Sequence, residues 1–218
     1  IAAGYLTEAV VNYVALLGWS PGGEREVFSL ADLEQAFDIS GLSKSPAIFD
    51  LEKLRYFNAE YIRAMKPEAF AAAAELYVRQ AVKNPGIDPG AVAALLQPRT
   101  EVLTDIPGKL GFFDVLPEYG NELFTNKKAK TDPAVSLEML NKTLPVLEKL
   151  QPWTDEAIHD ALVELAQNLG VKNAAVMWPL RIAVSGMAVT PGGAVEICGI
   201  LGKAETLRRM ENGIKKLR

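Results

Sequence analysis

The sequence predicts an all-α fold, or one that is nearly so, made of consecutive helical bundles. Helix-start signals recur along all 218 residues, and apolar residues follow most of them at helical spacing. Because no segment shows sustained alternation of apolar and polar residues, we expect at most a few short strands, in the N-terminal region. The chain is long enough for one large domain or for two or three small cores.

Polar caps mark three helix starts in the first third of the chain. Thr7 and the acidic residue after it can cap a helix that ends at Gly18. Ser29 and Asp32 have the spacing of a capping box, and Asp50 can cap the helix that follows. The apolar residues expected on the buried faces of the first and third helices are Val10, Val11, Val14, Leu16 and Leu17, and Leu51, Leu54, Tyr56, Phe57, Tyr61 and Ile62.

Prolines mark the next helix starts. Pro67 and Pro89 fit the first turn of a helix, where a missing N–H is tolerated, and Asp132 followed by Pro133 opens another helix. Pro145 lies inside that last helix, where it removes a backbone hydrogen bond and clashes one turn back. We therefore expect the helix to be kinked or divided there.

The last third of the chain predicts four further helices. Thr154 caps the first of them, and Gly170 supplies a left-handed C-terminal stop. Three shorter helices are predicted at about residues 173–184, 193–201 and 203–217. The tryptophans are expected to pack in the core.

The order of these elements predicts three units. They cover residues 1–65, 66–130 and 131–218, and the polar segment 126–132 has the composition of a linker into the third unit.

Composition excludes several classes of function. The single cysteine, Cys198, allows no internal disulfide and no thiolate zinc cluster, and the single histidine, His159, leaves little for a metal site or a Ser-His-Asp site. No apolar run reaches the length of a membrane span, so the expected location is the cytoplasm. The formal net charge of −4 argues against a bulk nucleic-acid binder. Residues 203–218 are locally basic, which fits a solvated helix face.

One short segment imitates a catalytic motif. Residues 41–45 read Gly-Leu-Ser-Lys-Ser and resemble the lysine loop of class I aminoacyl-tRNA synthetases, in which a lysine stabilises ATP phosphates. That motif works with a histidine-containing partner motif, which this chain lacks because His159 lies in a predicted helix. We therefore interpret Lys44 as an exposed lysine in a polar turn.

Segments on both sides of that decoy carry a wider resemblance. Residues 4–19 are similar to the segment that follows the true lysine loop in bacterial glutamyl-tRNA synthetases, and residues 44–57 resemble the next helix of that family. Near the other end, the motifs at residues 178–181, 185–186, 190–192 and 200–203 occur in the family's order and approximate spacing. The chain thus resembles a C-terminal portion of glutamate–tRNA ligase over essentially its full length.

The resemblance implies a division of labour. Residues 1–65 correspond to a stem-contact region, and 66–130 and 131–218 to two helical anticodon-binding domains. The family's catalytic Rossmann domain uses ATP and Mg, but this chain has no Gly-rich strand-to-helix signature and no phosphate-gripping loop. We expect a catalytically inactive monomer without a cofactor or metal of its own. Its expected partners are tRNA(Glu) and its own catalytic domain.

The same resemblance assigns four anticodon-binding residues. Arg181 matches a reader of anticodon bases, and Thr190 with Pro191 matches a turn that contacts the anticodon loop, next to a helix expected to begin near Gly193 and to favour acceptor-rich ligands at its N-terminus. Alternatively, Arg181 caps the C-terminus of a neighbouring helix and Thr190 is an ordinary N-cap.

Arg99 matches a position at which arginine distinguishes the last anticodon base of glutamate tRNA from that of glutamine tRNA. A guanidinium suits this task because its planar donors can engage two acceptors at once. The alternative is a surface arginine at a helix start.

The sequence also departs from relatives that have a larger apolar residue at the position of Gly193. A competing function from another class is a helical protein-interaction module that binds no RNA.

Overall fold

The computed structural model describes residues 3–43 and 45–218. Lys44, which we interpreted as an exposed lysine, lies outside the described residues. The α-helices are α1 (Thr7–Gly18), α2 (Leu30–Ala36), α3 (Leu51–Ala64), α4 (Pro67–Ala81), α5 (Pro89–Leu96), α6 (Gly111–Asp114), α7 (Pro133–Lys149), α8 (Asp155–Asn168), α9 (Asn173–Ser185) and α10 (Ala194–Leu217). Short 3-10 turns occur at Ile39–Gly41, Gln97–Arg99, Leu103–Asp105, Pro107–Lys109 and Asn121–Phe124.

The all-α prediction is confirmed. Within residues 3–43 and 45–218 no strands pair into a sheet, and β pairing is limited to two isolated bridges, Trp19 with Leu42 and Asn126 with Thr131. The first of these bridges lies in the N-terminal region, where we expected the few short strands.

Most of the predicted helix starts are correct. Ser29 and Asp32 form the capping box of α2, and the side chains of Asp50, Asp132 and Thr154 cap α3, α7 and α8 by accepting backbone hydrogen bonds. The exception is α1, whose N-cap is Leu6 rather than Thr7.

The predicted buried face of α1 is correct only in part. Val10, Leu16 and Leu17 pack, partly buried, against the cluster around Tyr13 and Phe57, but Val11 and Val14 are 39% and 56% exposed. The fully buried residues are Ala9, Asn12 and Tyr13. Asn12 is buried because its side chain is fully used: Nδ2 donates to the carbonyl of Glu26 at 2.8 Å, and Oδ1 accepts from the Phe28 amide at 2.9 Å. A polar residue that makes such bonds can occupy a core position, and the buried face is centred away from Val11 and Val14.

The buried stripe of α3 is correct only in part. Leu54, Phe57 and Ile62 are buried as predicted, but Leu51 and Tyr56 are about half exposed. Asn58 and Ala59 are buried instead. Oδ1 of Asn58 accepts from the Leu6 amide at 2.7 Å, which ties α3 to the start of α1.

Two helices behave differently at their helix-breaking residues. Pro145 does not divide α7, which continues to Lys149. In α10, Gly202 has φ 75° and ψ 165°, so two helical segments meet at this residue, as the separate helices predicted on either side of it require. Gly170 ends α8 with φ 66°, as predicted, and its amide donates to the carbonyl of Gln167.

The segment predicted to be a linker is a tight hydrogen-bonded turn. Asn126 and Thr131 exchange backbone hydrogen bonds of 2.9 and 3.1 Å, and Lys130 adopts φ 57° between them. The Thr131 hydroxyl is buried and donates to the carbonyl of Phe124 at 2.9 Å. A segment fixed in this way does not have the freedom of a linker.

A single large hydrophobic core extends from Ile62 to Ile214 and joins side chains of α3 to α10. Two smaller clusters lie in the N-terminal region, one around Tyr13 and Phe57 and the other around Trp19. The turns and loops that surround the candidate site therefore rest on one packed body of helices.

Candidate functional site

Two concavities meet at Arg99. The first, which we call the Arg99–Thr190 cavity, has a volume of about 420 Å³ and is lined by Arg99, Gly108, Lys109, Met187, Val189, Thr190 and Pro191. The second, which we call the acidic groove, has a volume of about 510 Å³, and its lining includes Leu95, Arg99, Asp155, Glu196, Gly199 and Ile200. The structure thus brings Arg99 next to Thr190 and Pro191, although some ninety positions separate them in the chain.

Arg99 is exposed at the end of a firmly anchored 3-10 turn. Gln97, at the start of the turn, donates from Nε2 to the carbonyls of Ile62 at 3.0 Å and Met65 at 2.8 Å. Thr100, directly after the turn, is buried and donates from its hydroxyl to the Leu96 carbonyl at 3.0 Å. Nη1 of Arg99 makes one longer bond, 3.2 Å, to the carbonyl of Leu95. The backbone at Arg99 is fixed on both sides, while the guanidinium keeps donors for a ligand.

Residues 186–193, which we call the 186–193 loop, supply four of the residues that line the Arg99–Thr190 cavity. The Thr190 hydroxyl donates to the carbonyl of Gly192 at 2.6 Å, and Pro191 is buried. Gly192 packs so closely on α5 that a Cβ atom there would lie 2.5 Å from Cδ1 of Leu95. This contact holds the loop against the helix that leads to Arg99.

Arg181 contacts this loop but is not among the residues that line the cavity. Its guanidinium stacks on the Trp178 ring, 4.5 Å from the centroid, and Nη2 donates to the carbonyl of Ala188 at 2.9 Å. Nε is buried and finds no partner among the described residues. Burial lowers the pKa of Arg181. Because Ala188 belongs to the loop and not to a helix, the alternative in which Arg181 caps a neighbouring helix is wrong.

The start of α10 is where the first reading of the sequence placed it, near Gly193. The N-cap of α10 is Gly193, so the alternative in which Thr190 is an N-cap is wrong. Glu196 lies over this N-terminus, where its Oε2 atom would be 2.8 Å from a Cβ atom on Gly193. A carboxylate at this place opposes the predicted attraction of the helix start for acceptor-rich ligands.

Asp155 and Glu196 give the acidic groove its charge. Burial is the main cause that raises the pKa of Asp155, and repulsion by the Glu196 carboxylate adds to it. The Asp155 side chain also approaches α10 closely, since a Cβ atom on Gly199 would lie 2.0 Å from its Oδ1 atom. One side of Arg99 therefore faces carboxylates, and the other side faces apolar groups and Lys109.

Sequence reasoning missed Gly108, Lys109, Met187 and Val189, which complete the lining of the Arg99–Thr190 cavity. No motif in the sequence marks them, and only the folded chain places them beside Arg99.

Among the described residues, no three His, Cys, Asp or Glu side chains are grouped so that they could hold a metal ion. The part of the chain that the structure describes also contains no helix long and apolar enough to cross a membrane.

Two family models match the chain. Residues 51–214 match the anticodon binding domain, and residues 2–56 match the catalytic domain of class I tRNA synthetases (E and Q). The longer match and the all-α fold define the class of protein as a helical anticodon-binding domain. The chain belongs to the anticodon-binding domain family of class I tRNA synthetases.

Comparison with individual proteins shows similarity to one kind of synthetase. The chain is 50% identical over 215 residues to a glutamate–tRNA ligase of Clostridium tetani and 45% identical over 217 residues to that of Clostridium acetobutylicum. It covers 44% and 45% of these proteins, so it spans less than half their length. The crystal structure of a glutamate tRNA ligase from Elizabethkingia meningosepticum in complex with its amino acid is also similar, with a TM-score of 0.84, 28% identity, and coverage of 99% of this chain and 42% of that chain.

Proposed function

We propose that this chain is the tRNA-binding part of a glutamate–tRNA ligase and that it binds the anticodon loop of tRNA(Glu) at the Arg99–Thr190 cavity. The observation that carries the proposal is the convergence of Arg99, Thr190 and Pro191 on one cavity. A single RNA hairpin loop could contact Arg99 and Thr190 at once, while the buried Pro191 shapes the turn that carries Thr190.

The chemistry of the cavity suits an unstacked nucleotide. Arg99 offers planar donors that can engage two acceptors on a base edge, and Met187 and the exposed Val189 offer apolar surface for the face of the base. In this proposal Arg181 acts indirectly, because its bond to Ala188 holds the 186–193 loop in place. This differs from the direct reading of bases by Arg181 that the resemblance implied.

We further propose that the chain does not activate glutamate and that ATP and Mg bind to the part of the catalytic domain that this chain does not contain. Three apolar residues near the end of the catalytic-domain match, Ile39, Ile48 and Phe49, are 76%, 88% and 59% exposed. Exposed apolar side chains of this size commonly mark an interface. We assign them to the contact with the remainder of the catalytic domain.

A titration of the purified chain with tRNA(Glu) tests the proposal. Binding should weaken with increasing salt, because contacts with phosphates release counterions, and it should weaken when the anticodon is changed. Binding that is absent, or that is indifferent to the anticodon, would contradict the proposal. In that case the helical protein-interaction module becomes the better description.

The variant Arg99→Gln tests the assignment of the last anticodon base. We expect discrimination between the tRNA(Glu) anticodon and one altered at its last base to fall by ~1–3 kcal/mol, by analogy with a bidentate arginine contact to DNA bases. Arg79→Gln is a matched control, because it makes the same charge change at an exposed position on α4. Unchanged discrimination in Arg99→Gln would show that Arg99 does not read this base.

A further inference from the structure

We propose that Lys109 binds a backbone phosphate of the same RNA loop, next to the base that Arg99 contacts. This inference rests on the proposed function and adds to the site a residue that neither the sequence motifs nor the resemblance assigned. It divides the work within the cavity: Arg99 supplies selectivity for the base, and Lys109 supplies affinity that does not depend on the base.

The backbone at Lys109 is held as firmly as that at Arg99. Lys109 ends the 3-10 turn Pro107–Lys109, and its amide donates to the carbonyl of Ile106 at 3.0 Å. Its neighbours Ile106 and Leu110 have no exposed surface, so both flanks of the turn are packed into the core. The side chain therefore leaves the fold from a fixed point at the edge of the Arg99–Thr190 cavity.

The ammonium group of Lys109 is poorly satisfied by the protein. Nζ makes one long contact, 3.5 Å, to the main-chain carbonyl of Arg99. None of the ion pairs found among the described residues includes Lys109, although the side chain is half-buried. An ammonium has three donors, and Lys109 thus keeps donors and an uncompensated charge beside the turn that carries Arg99.

The charges around Arg99 determine on which side a phosphate can lie. In the acidic groove, Asp155 and Glu196 would repel it. In the Arg99–Thr190 cavity, Lys109 attracts it, and Met187 with the 80% exposed Val189 supplies apolar surface for the attached base. The RNA backbone is therefore expected on the Lys109 side of Arg99, away from the carboxylates.

The test measures tRNA(Glu) binding over a salt series for the chain and for Lys109→Gln, Lys109→Arg and Lys149→Gln. Lys149 is exposed on α7 and lines neither concavity, so its variant makes the same charge change elsewhere. For Lys109→Gln we expect the slope of log K against log[salt] to become shallower by ~0.7–0.9, which is the loss of one phosphate contact. This corresponds to about fivefold weaker binding near 0.1 M salt. Lys109→Arg and Lys149→Gln should keep the original slope.

The loss in Lys109→Gln should be the same for tRNA(Glu) and for its anticodon variants, because a phosphate contact carries no sequence information. An unchanged slope in Lys109→Gln would overturn the inference, and so would an equal change in Lys149→Gln or a loss confined to one anticodon base. These results are distinct from failure of the proposed function, in which the unaltered chain itself shows no anticodon-dependent binding.

Discussion

Arg209 donates a hydrogen bond of 2.7 Å from Nη1 to the main-chain carbonyl of Val184 in the last turn of α9. The same nitrogen donates to the carbonyl of Phe112 at 2.7 Å, and Nε donates to Glu205 at 2.6 Å. Carbonyls in the last turn of a helix have no partner within the helix, so the guanidinium satisfies a group that would otherwise be buried without one. The arginine is only 1% exposed, which contradicts its expected place on a solvated basic face.

We expect Arg209→Met to lower the free energy of unfolding by about 3 kcal/mol, because two buried carbonyls lose their donor and Glu205 loses one of its partners. Urea denaturation measures this. Arg208→Met is the control: Arg208 also binds Glu205, but its side chain is 59% exposed and bonds to no buried carbonyl in the described part of the chain, so a smaller loss than in Arg209→Met is expected. Similar losses in both variants would show that the buried carbonyl contacts contribute little.

Stability in acid should depend on Glu205. Hydrogen bonds from Arg208 and, to a smaller extent, from Arg209 lower the pKa of Glu205 from its ordinary 4.5 to about 2. Because the pKa is lower in the folded state, the stabilisation is complete above about pH 4.5 and is lost as the pH falls towards about 2. Urea midpoints across this range should fall more steeply for the unaltered chain than for Glu205→Gln. Parallel curves would refute this coupling.

Gly186 and Gly170 provide a matched test of packing next to the site. Both adopt a left-handed conformation, with φ 64° and 66°. A Cβ atom on Gly186 would lie 2.8 Å from Cδ1 of Tyr119, whereas one on Gly170 would meet no atom within 4 Å. Gly170→Ala should destabilise the fold by about 1 kcal/mol through the backbone alone. Gly186→Ala should destabilise it by roughly 1–3 kcal/mol more. Equal thermal shifts would mean that Tyr119 moves aside freely.

Removal of the Arg181 side chain should weaken tRNA(Glu) binding without unfolding the chain. Arg181→Ala removes the bond to Ala188 and the contact with Trp178, and we expect it to lower stability by about 1 kcal/mol. Helix content measured by circular dichroism should remain unchanged, because alanine is a good helix former. Binding equal to that of the unaltered chain would show that the 186–193 loop keeps its binding conformation without the contacts of Arg181.

Local signals in the sequence predicted most of the fold. Caps such as Asp50 and Thr154 act within a few residues, so helix starts could be read directly from the chain. The buried faces were harder to predict, because Asn12 and Asn58 enter the core through bonds with residues 14 to 52 positions away. A count of apolar residues at helical spacing cannot detect such partners.

The candidate site was likewise predictable in part from the sequence and in part only from the tertiary structure. Arg99, Thr190 and Pro191 could be proposed from the resemblance alone, and their roles stay predictions. Their meeting in one cavity depends on how α5 packs beside the 186–193 loop, through the contact of Gly192 with Leu95. Lys109 reaches the cavity by the same packing and has no motif of its own. Its position could not be predicted without the tertiary structure.

The continuous core from Ile62 to Ile214 has a consequence for recognition, because it packs the helices that carry the residues of the cavity into one body. We therefore expect the nucleotides, rather than the polypeptide, to lose conformational freedom when the proposed complex forms. The conformational entropy that is lost on binding is then mainly that of the RNA. A hairpin that is already rigid in the bound conformation should therefore bind with higher affinity than a flexible one.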